Sequence, residues 1–271
     1  MSDQMRKAVA FQALHTREEP LLLPNPWDAG SAKLMANLGF EALATTSLGA
    51  SAMLGTTIAT AEIILENCRN ICAATNLPIN ADLENCFADA PEDAAQMIAQ
   101  ACEAGAVGGS IEDATGDRGT PIYDFELTVD RVRAAVETAR AQPIPFTLTA
   151  RAEGLLYGYG DIDDVIKRLQ AFEEVGADCL YAPGLKTIEE MRIAVEAVSK
   201  PVNVVMGFAD PTITLEQMAE IGVCRVSIGA GLSRVALNAM MTAAQAMKDG
   251  NFGFISDMIC VGDLRKAFGE V

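Results

Sequence analysis

"EEVGADCL", residues 173–180, is the point where one pattern gives way to another. Before it, "DIDDVIKRLQAFEEVG" (161–176) places its apolar residues at helical spacing; after it, "DCLYAPG" (178–184) reads as a short buried strand. Between the two, Gly176 supplies the left-handed backbone that stops a helix. The same junction recurs as "ANLGFEAL" (36–43), "CEAGAVGG" (102–109) and "AEIGVCRV" (219–226), with Gly39, Gly105 and Gly222 in the equivalent place. A helix that hands the chain back to the next strand is the connection that a parallel sheet requires.

Eight strand-like runs are joined in this way: "PLLLPN" (20–25), "FEALATTS" (40–47), "LPINADLE" (77–84), "VGGSIEDA" (107–114), "PFTLTARAE" (145–153), "DCLYAPG" (178–184), "PVNVVM" (201–206) and "CRVSIGAG" (224–231). Helical patterns follow each of them, the last being "LSRVALNAMMTAAQAMKDG" (232–250). Eight alternations in about 250 residues predict a (β/α)₈ barrel, a TIM barrel. Alternation does not by itself show closure, so a doubly wound open sheet is the other arrangement. No linker or composition break divides the 271 residues, so a single domain is expected, with 250–271 as a terminal helical extension. The apolar residues of that tail argue for packing on the same barrel or on a neighbouring subunit, and hence for a homo-oligomer.

The net charge of −17 opposes phosphate backbones and anionic lipid surfaces, so neither nucleic acid nor a membrane is an expected partner. No apolar run is long enough for a membrane span, and the N-terminus has no apolar signal core; a cytoplasmic location is expected. The seven cysteines, 68, 72, 86, 102, 179, 224 and 260, are scattered among apolar neighbours and read as reduced packing residues. The single histidine, His15, lies in the N-terminal helical pattern and reads as structural, which leaves no Ser-His or Cys-His pair to build a nucleophile on.

Polar residues gather at the carboxyl ends of the strands, where barrels carry their chemistry. Thr45, Thr46 and Ser47 end the second strand, Glu112 and Asp113 the fourth, Arg151 and Glu153 the fifth, and Asn203 lies on the seventh. In the third, Asn80, Asp82 and Glu84 alternate, so an extended chain points all three to one side. Carboxylates converging in a dry mouth repel one another unless a cation sits among them, and hard oxygen ligands without His or Cys suit Mg²⁺ or Mn²⁺. A buried ion pair of Glu112 or Asp113 with Arg151 is the structural alternative. Arg151 has the geometry to grip a carboxylate; on that reading Arg151→Ala loses oxalate affinity and keeps its thermal stability. "ATTSLGAS" (44–51) offers hydroxyls and backbone amides, as any βα turn does; "IGAGLSR" (228–234) has the composition of a strand-eight phosphate loop or of a tight turn. Asp28 reads as a helix N-cap.

"LPNPWDAGSAKLMANLGFEALATTS", "PINADLEN", "GGSIEDATGD" and "FTLTARAE", in this order and spacing, resemble the isocitrate lyase/phosphoenolpyruvate mutase superfamily, in its short phosphonomutase-like branch, from about residue 8 to 245. The resemblance implies a (β/α)₈ barrel, usually tetrameric with a terminal helix exchanged between subunits, that binds Mg²⁺ and a small 2-oxo acid and stabilises an enolate. By motif, Thr46, Ser47 and Leu48 match the substrate-carboxylate cradle, Asn80 and Asp82 the metal-binding acidic pair, Glu112 the outer metal acid and Arg151 the substrate-binding arginine. With Glu84 added from its alternation and Asn203 from its strand, the candidate set has metal ligands Asp82, Asn80, Glu84 and Glu112. Its substrate-binding residues are Thr46, Ser47, Leu48, Arg151 and Asn203, and its catalytic residues Arg151 and Glu112.

Three departures narrow the reaction. Asn80 replaces an aspartate, Ile58 stands near another, and "EDATGDRGT" (112–120) lacks the catalytic cysteine of the lyases. A phosphonomutase needs a polar lid, for which this loop offers Asp117, Arg118 and Tyr123. Decarboxylation of an oxaloacetate-like 2-oxo acid, with a metal as electron sink, needs least. The expected activity is therefore a Mg²⁺-dependent carbon–carbon lyase acting on a small 2-oxo acid or dicarboxylate. The alternatives are P–C bond chemistry and a protein that binds 2-oxo acids without turning them over.

Overall fold

The computed structural model describes Met1 to Glu270. Its strands are β1 Leu21–Leu23, β2 Leu43–Ala44, β3 Ile79–Asp82, β4 Gly108–Glu112, β5 Thr147–Arg151, β6 Cys179–Tyr181, β7 Val202–Val205 and β8 Arg225–Ser227. Every one falls inside a run expected from sequence. The helices are α1 Asp3–Leu14, α2 Ala29–Asn37, α3 Ser47–Met53, α4 Ala61–Ala74, α5 Pro91–Glu103 and α6 Phe125–Arg140, followed by α7 Gly154–Tyr157, α8 Ile162–Glu174, α9 Ile188–Glu196, α10 Leu215–Glu220, α11 Gly231–Lys248 and α12 Val261–Phe268. A 3₁₀ turn, Gly253–Asp257, precedes α12.

All strand pairs are parallel, in the order β1-β8-β7-β6-β5-β4-β3-β2. In an open sheet the first and last members of that order would lie far apart. Here they meet: Ala44 N–H donates to Pro24 O at 3.0 Å, and Asn25 Nδ2 donates to Thr45 O at 3.0 Å. This seam makes the sheet a barrel and removes the doubly wound alternative. Gly39, Gly105, Gly176 and Gly222 all have positive φ, between 82° and 106°, and end their helices as the junction repeat implies.

Residues alternate between two cores. Outward-facing Ile111, Leu148, Leu180 and Val204 pack under helix residues such as Ile98, Val132 and Phe172. The inside is polar above an apolar plug. Phe11 of α1 closes the bottom so tightly that a Cβ on Gly108 would lie 3.0 Å from its ring and 2.8 Å from Thr147 O. Only glycine fits there.

The structure differs from expectation in three places. "ATTSLGAS" is not a loop: Thr46 caps α3, accepting from Gly49 N–H at 3.3 Å. β3 ends at Asp82, and Glu84 has φ 49°, as part of a left-handed stretch with Cys86 and Phe87, so strict alternation stops before Glu84. Finally, α11 leaves the barrel it should cover. Its buried residue is Ser233, in the first turn, while Val235, Met240, Met241 and Met247 are exposed. Outside β1, Leu22 is 40% exposed. The 250–270 extension turns back so that α12 lies against α2. No described helix is long and apolar enough to cross a membrane.

Candidate active site

All eight strands and the start of α3 contribute to a cavity of about 820 Å³ that opens at the carboxyl end of the barrel and reaches down into it. Arg151, at the end of β5, is its centre. Nη1 lies 2.7 Å from Asp82 Oδ1, Nη2 2.9 Å from Glu112 Oε2 and Nε 2.8 Å from Glu153 Oε1. The guanidinium also faces the Tyr181 ring, with Cζ 5.0 Å from its centroid. These contacts follow from register, since Glu112, Arg151 and Tyr181 are lateral partners across β4, β5 and β6. Asp82 is tied at its other oxygen, Oδ2, which accepts Ser47 N–H at 2.9 Å; its own N–H donates to Thr45 Oγ1 at 2.8 Å. α3 is thereby fastened to β3.

Three carboxylates, of Asp82, Glu112 and Glu153, thus share one guanidinium, and a fourth, Glu84, stands near it without touching it. The imbalance shows in their proton affinities. Burial pushes the Glu153 carboxyl up to about 7, against the pull of Arg151. Glu112 is raised well above the ordinary range by burial, with Glu153, Asp82 and Glu84 adding repulsion that Arg151 only partly offsets. Glu84 is raised by burial and by the charge of Asp82. Tyr157, on α7, is pushed up to about 12 by burial and by Glu112 and Glu153, so it stays protonated.

Residues 11–248 match the phosphoenolpyruvate phosphomutase family. The chain belongs to that family. With it comes membership of the isocitrate lyase/phosphoenolpyruvate mutase superfamily. Among relatives, the 2-methylisocitrate lyase of Escherichia coli (strain K12) is 30% identical over 221 residues, covering 77% of this chain and 73% of that protein. The oxaloacetate decarboxylase of Paraburkholderia xenovorans (strain LB400) is 28% identical over 247 residues, covering 86% and 80%. A crystal structure from Burkholderia cenocepacia J2315, described as a candidate lyase/mutase, superposes with a TM-score of 0.95 at 49% identity, covering 98% of this chain and 96% of that one. The family is thus one of lyases and mutases, and the relatives with named activities include carbon–carbon lyases.

The donor set here fits a divalent cation by charge. Arg151 alone cannot neutralise two buried and two half-buried carboxylates, and the raised Glu84 and Glu112 carry the surplus. Among the described residues, however, no three acidic, His or Cys side chains converge into a finished ligand set. An ion that keeps most of its waters and touches one or two carboxylates suits that geometry, which is the habit of Mg²⁺.

The structure distributes the sequence candidates unequally. Asp82, Glu84, Glu112 and Arg151 share the mouth with Thr46, Ser47 and Leu48. Asn80 lies one pleat deeper, 4% exposed, with Oδ1 unpaired; the acidic pair at the rim is Asp82 with Glu84, rather than Asn80 with Asp82. Asn203 is fully buried, its Nδ2 donating to Ser227 Oγ at 3.0 Å and its Oδ1 accepting from Arg225 Nε at 2.8 Å, so both ends are already engaged. The phosphate-loop reading of "IGAGLSR" is corrected: the Ile228 and Gly229 amides donate to Asn25 Oδ1, at 3.0 and 2.9 Å, and lock the seam instead of an anion. Asp113 pairs with Arg168, at 3.2 Å, not with Arg151. Tyr157, Tyr181 and Arg225 also line the cavity and were not among the sequence candidates, and Glu153, noted there only as a polar strand end, lines it too. Arg225 had the same signature as Arg151, a charge inside an otherwise strand-like run; the tyrosines had none.

Proposed function

We propose that the protein is a Mg²⁺-dependent lyase that decarboxylates or cleaves a small 2-oxo acid of the oxaloacetate type through an enolate. The observation that carries this reading is the composition of the cavity mouth: three carboxylates on Arg151 with Glu84 beside them, and no Cys, His or Lys among the cavity's described lining residues. Such a mouth has no nucleophile and no imidazole base, but it suits chemistry that needs an electron sink and a proton source. Mg²⁺, when bound beside Asp82, Glu84 and Glu112, supplies Lewis-acid polarisation of a keto group.

The chain's own residues do the rest. The start of α3, Thr46 to Leu48, binds the carboxylate next to the keto group, and Arg151 fixes the carboxylates around it. When the bond between C3 and C4 breaks, carbon dioxide leaves and the electron pair remains as the enolate of pyruvate. Tyr157, neutral at working pH and facing the cavity, donates the proton that C3 takes up. The likeness to an oxaloacetate decarboxylase and a 2-methylisocitrate lyase supports this choice over P–C bond chemistry.

The test is pyruvate and carbon dioxide release from oxaloacetate with and without Mg²⁺, alongside oxalate binding by calorimetry. Mg²⁺-dependent turnover with Mg²⁺-dependent oxalate binding is expected. Oxalate binding that ignores Mg²⁺, with no turnover, would instead make the protein a 2-oxo-acid binder. Oligomerisation belongs to the same proposal: the exposed apolar face of α11 and the exposed Phe252, Ile255 and Met258 beside it are covered by a second copy of the chain.

A further inference from the structure

Two arginines of the barrel wall face the cavity from inside, and their electrostatic situations are opposite. Arg151 is outnumbered by carboxylates. Arg225, on β8, is 2% exposed and has no carboxylate partner among the described residues. Its guanidinium is held by neutral groups: Nε donates to Asn203 Oδ1 at 2.8 Å, Nη2 to Thr149 Oγ1 at 2.9 Å, and Nη1 meets His15 Nε2 at 3.2 Å. His15 accepts that bond as a neutral ring, because burial and the charge of Arg225 lower it to about 4. A guanidinium has five N–H groups, so two remain.

A buried charge without a counter-charge is costly, and the cost is relieved by an anion if one can reach it. Arg225 lines the inner end of the cavity together with Asn80 and Ser110. Asn80 is the second, independent sign of a missing ligand. It is buried and lines the same space; its Oδ1 turns into the wall beside Gly108, while its Nδ2, a donor with no hydrogen-bond partner among the described residues, is left to the cavity. Thr149, which anchors Arg225, precedes Arg151 by two residues on β5, a rise of about 7 Å. A short dicarboxylate spans such a distance.

We propose that the inner end of the cavity is a second anion subsite, in which Arg225, backed by Asn80, receives the distal carboxylate of a four-carbon 2-oxo dicarboxylate whose other end lies at the mouth. This rests on the mouth being the substrate site, as argued above. It makes the chain selective for dicarboxylates over monocarboxylates, and gives Arg225 a binding role beyond filling the barrel.

The experiment is calorimetry in the presence of Mg²⁺ with L-malate, L-lactate and oxalate, on the wild type and Arg225→Gln. In the wild type, malate is expected to bind at least tenfold tighter than lactate, with sodium chloride competing against malate more than against oxalate. In Arg225→Gln the malate-to-lactate ratio falls to about one while oxalate affinity changes less than about twofold, a pattern that general loosening of the barrel would not produce. A wild-type crystal with Mg²⁺ and malate keeps the test decisive if Arg225→Gln does not fold: a carboxylate within hydrogen-bond reach of Arg225 is expected. Malate no tighter than lactate in the wild type, a ratio retained in Arg225→Gln, or both malate carboxylates at the mouth would each overturn the subsite. Failure of oxalate itself to bind the wild type would instead sink the reading of the mouth.

Discussion

Arg151→Ala separates the charge balance of the mouth from ligand binding. The substitution removes the only cation that, among the described residues, touches Asp82, Glu112 and Glu153, whose side chains are 19%, 9% and 1% exposed. Removing one partner of a buried ion pair costs about 3–5 kcal/mol; with solvent reaching the rim of the mouth, the low end of that range, about 3 kcal/mol, is the expected loss. At roughly 2–4 °C per kcal/mol for a chain of this size, that is a fall of about 6–12 °C in Tm at pH 8. Loss of affinity with stability preserved, as the sequence alone suggested, is therefore not the expected outcome.

The pH dependence carries the sign. Glu153 titrates near 7 in the folded protein, above the value of an unfolded glutamate, so its cost is absent at low pH and grows as pH rises from about 4.3 through 7. Without Arg151 the Glu112 and Glu153 carboxyls rise further. The gap between variant and wild type should therefore be widest at pH 8 and close toward pH 5, measured by calorimetric Tm across that range. An unchanged Tm at pH 8 would refute the charge balance. A deficit equal at pH 5 and pH 8 would show that the lost energy is packing against Tyr181 rather than charge.

Three further expectations are independent of that one. Gly49→Ala would place a Cβ 2.5 Å from Thr46 Cγ2 and 3.2 Å from Trp27 Cβ, costing about 1–3 kcal/mol by overpacking and weakening oxalate binding as α3 shifts; denaturant unfolding and calorimetry read the two effects. Arg168→Leu strands Asp113, which is fully buried and already pushed up to about 6, at a cost of about 3–5 kcal/mol near neutral pH. Because the folded value is the raised one, that deficit should shrink as pH falls below 6, and a pH-independent deficit would speak against it. Met241→Glu, on the exposed face of α11, should lower the molar mass seen by light scattering from oligomer to monomer without unfolding the barrel; an unchanged mass would remove α11 from the interface.

What the sequence determined by itself was whatever repeats locally. The glycine-ended helices and the eight apolar runs specify strand number and barrel class because a left-handed C-cap and a buried parallel strand each leave their mark within a few residues. Asp82, Glu112 and Arg151 were legible for a related reason: a charge at the end of an apolar strand has few structural excuses. Tertiary structure decided the rest, since it depends on which residues become lateral neighbours. Register placed Glu112, Arg151 and Tyr181 side by side, turned Asp113 away to Arg168, and spent the amides of the strand-eight loop on Asn25. Asn80 sank below the mouth and Glu84 reached it through a left-handed backbone, which strand periodicity cannot foresee. The lone Arg225 charge became visible only once the barrel had closed around it, because whether a charge is compensated is a property of three-dimensional proximity and not of order along the chain.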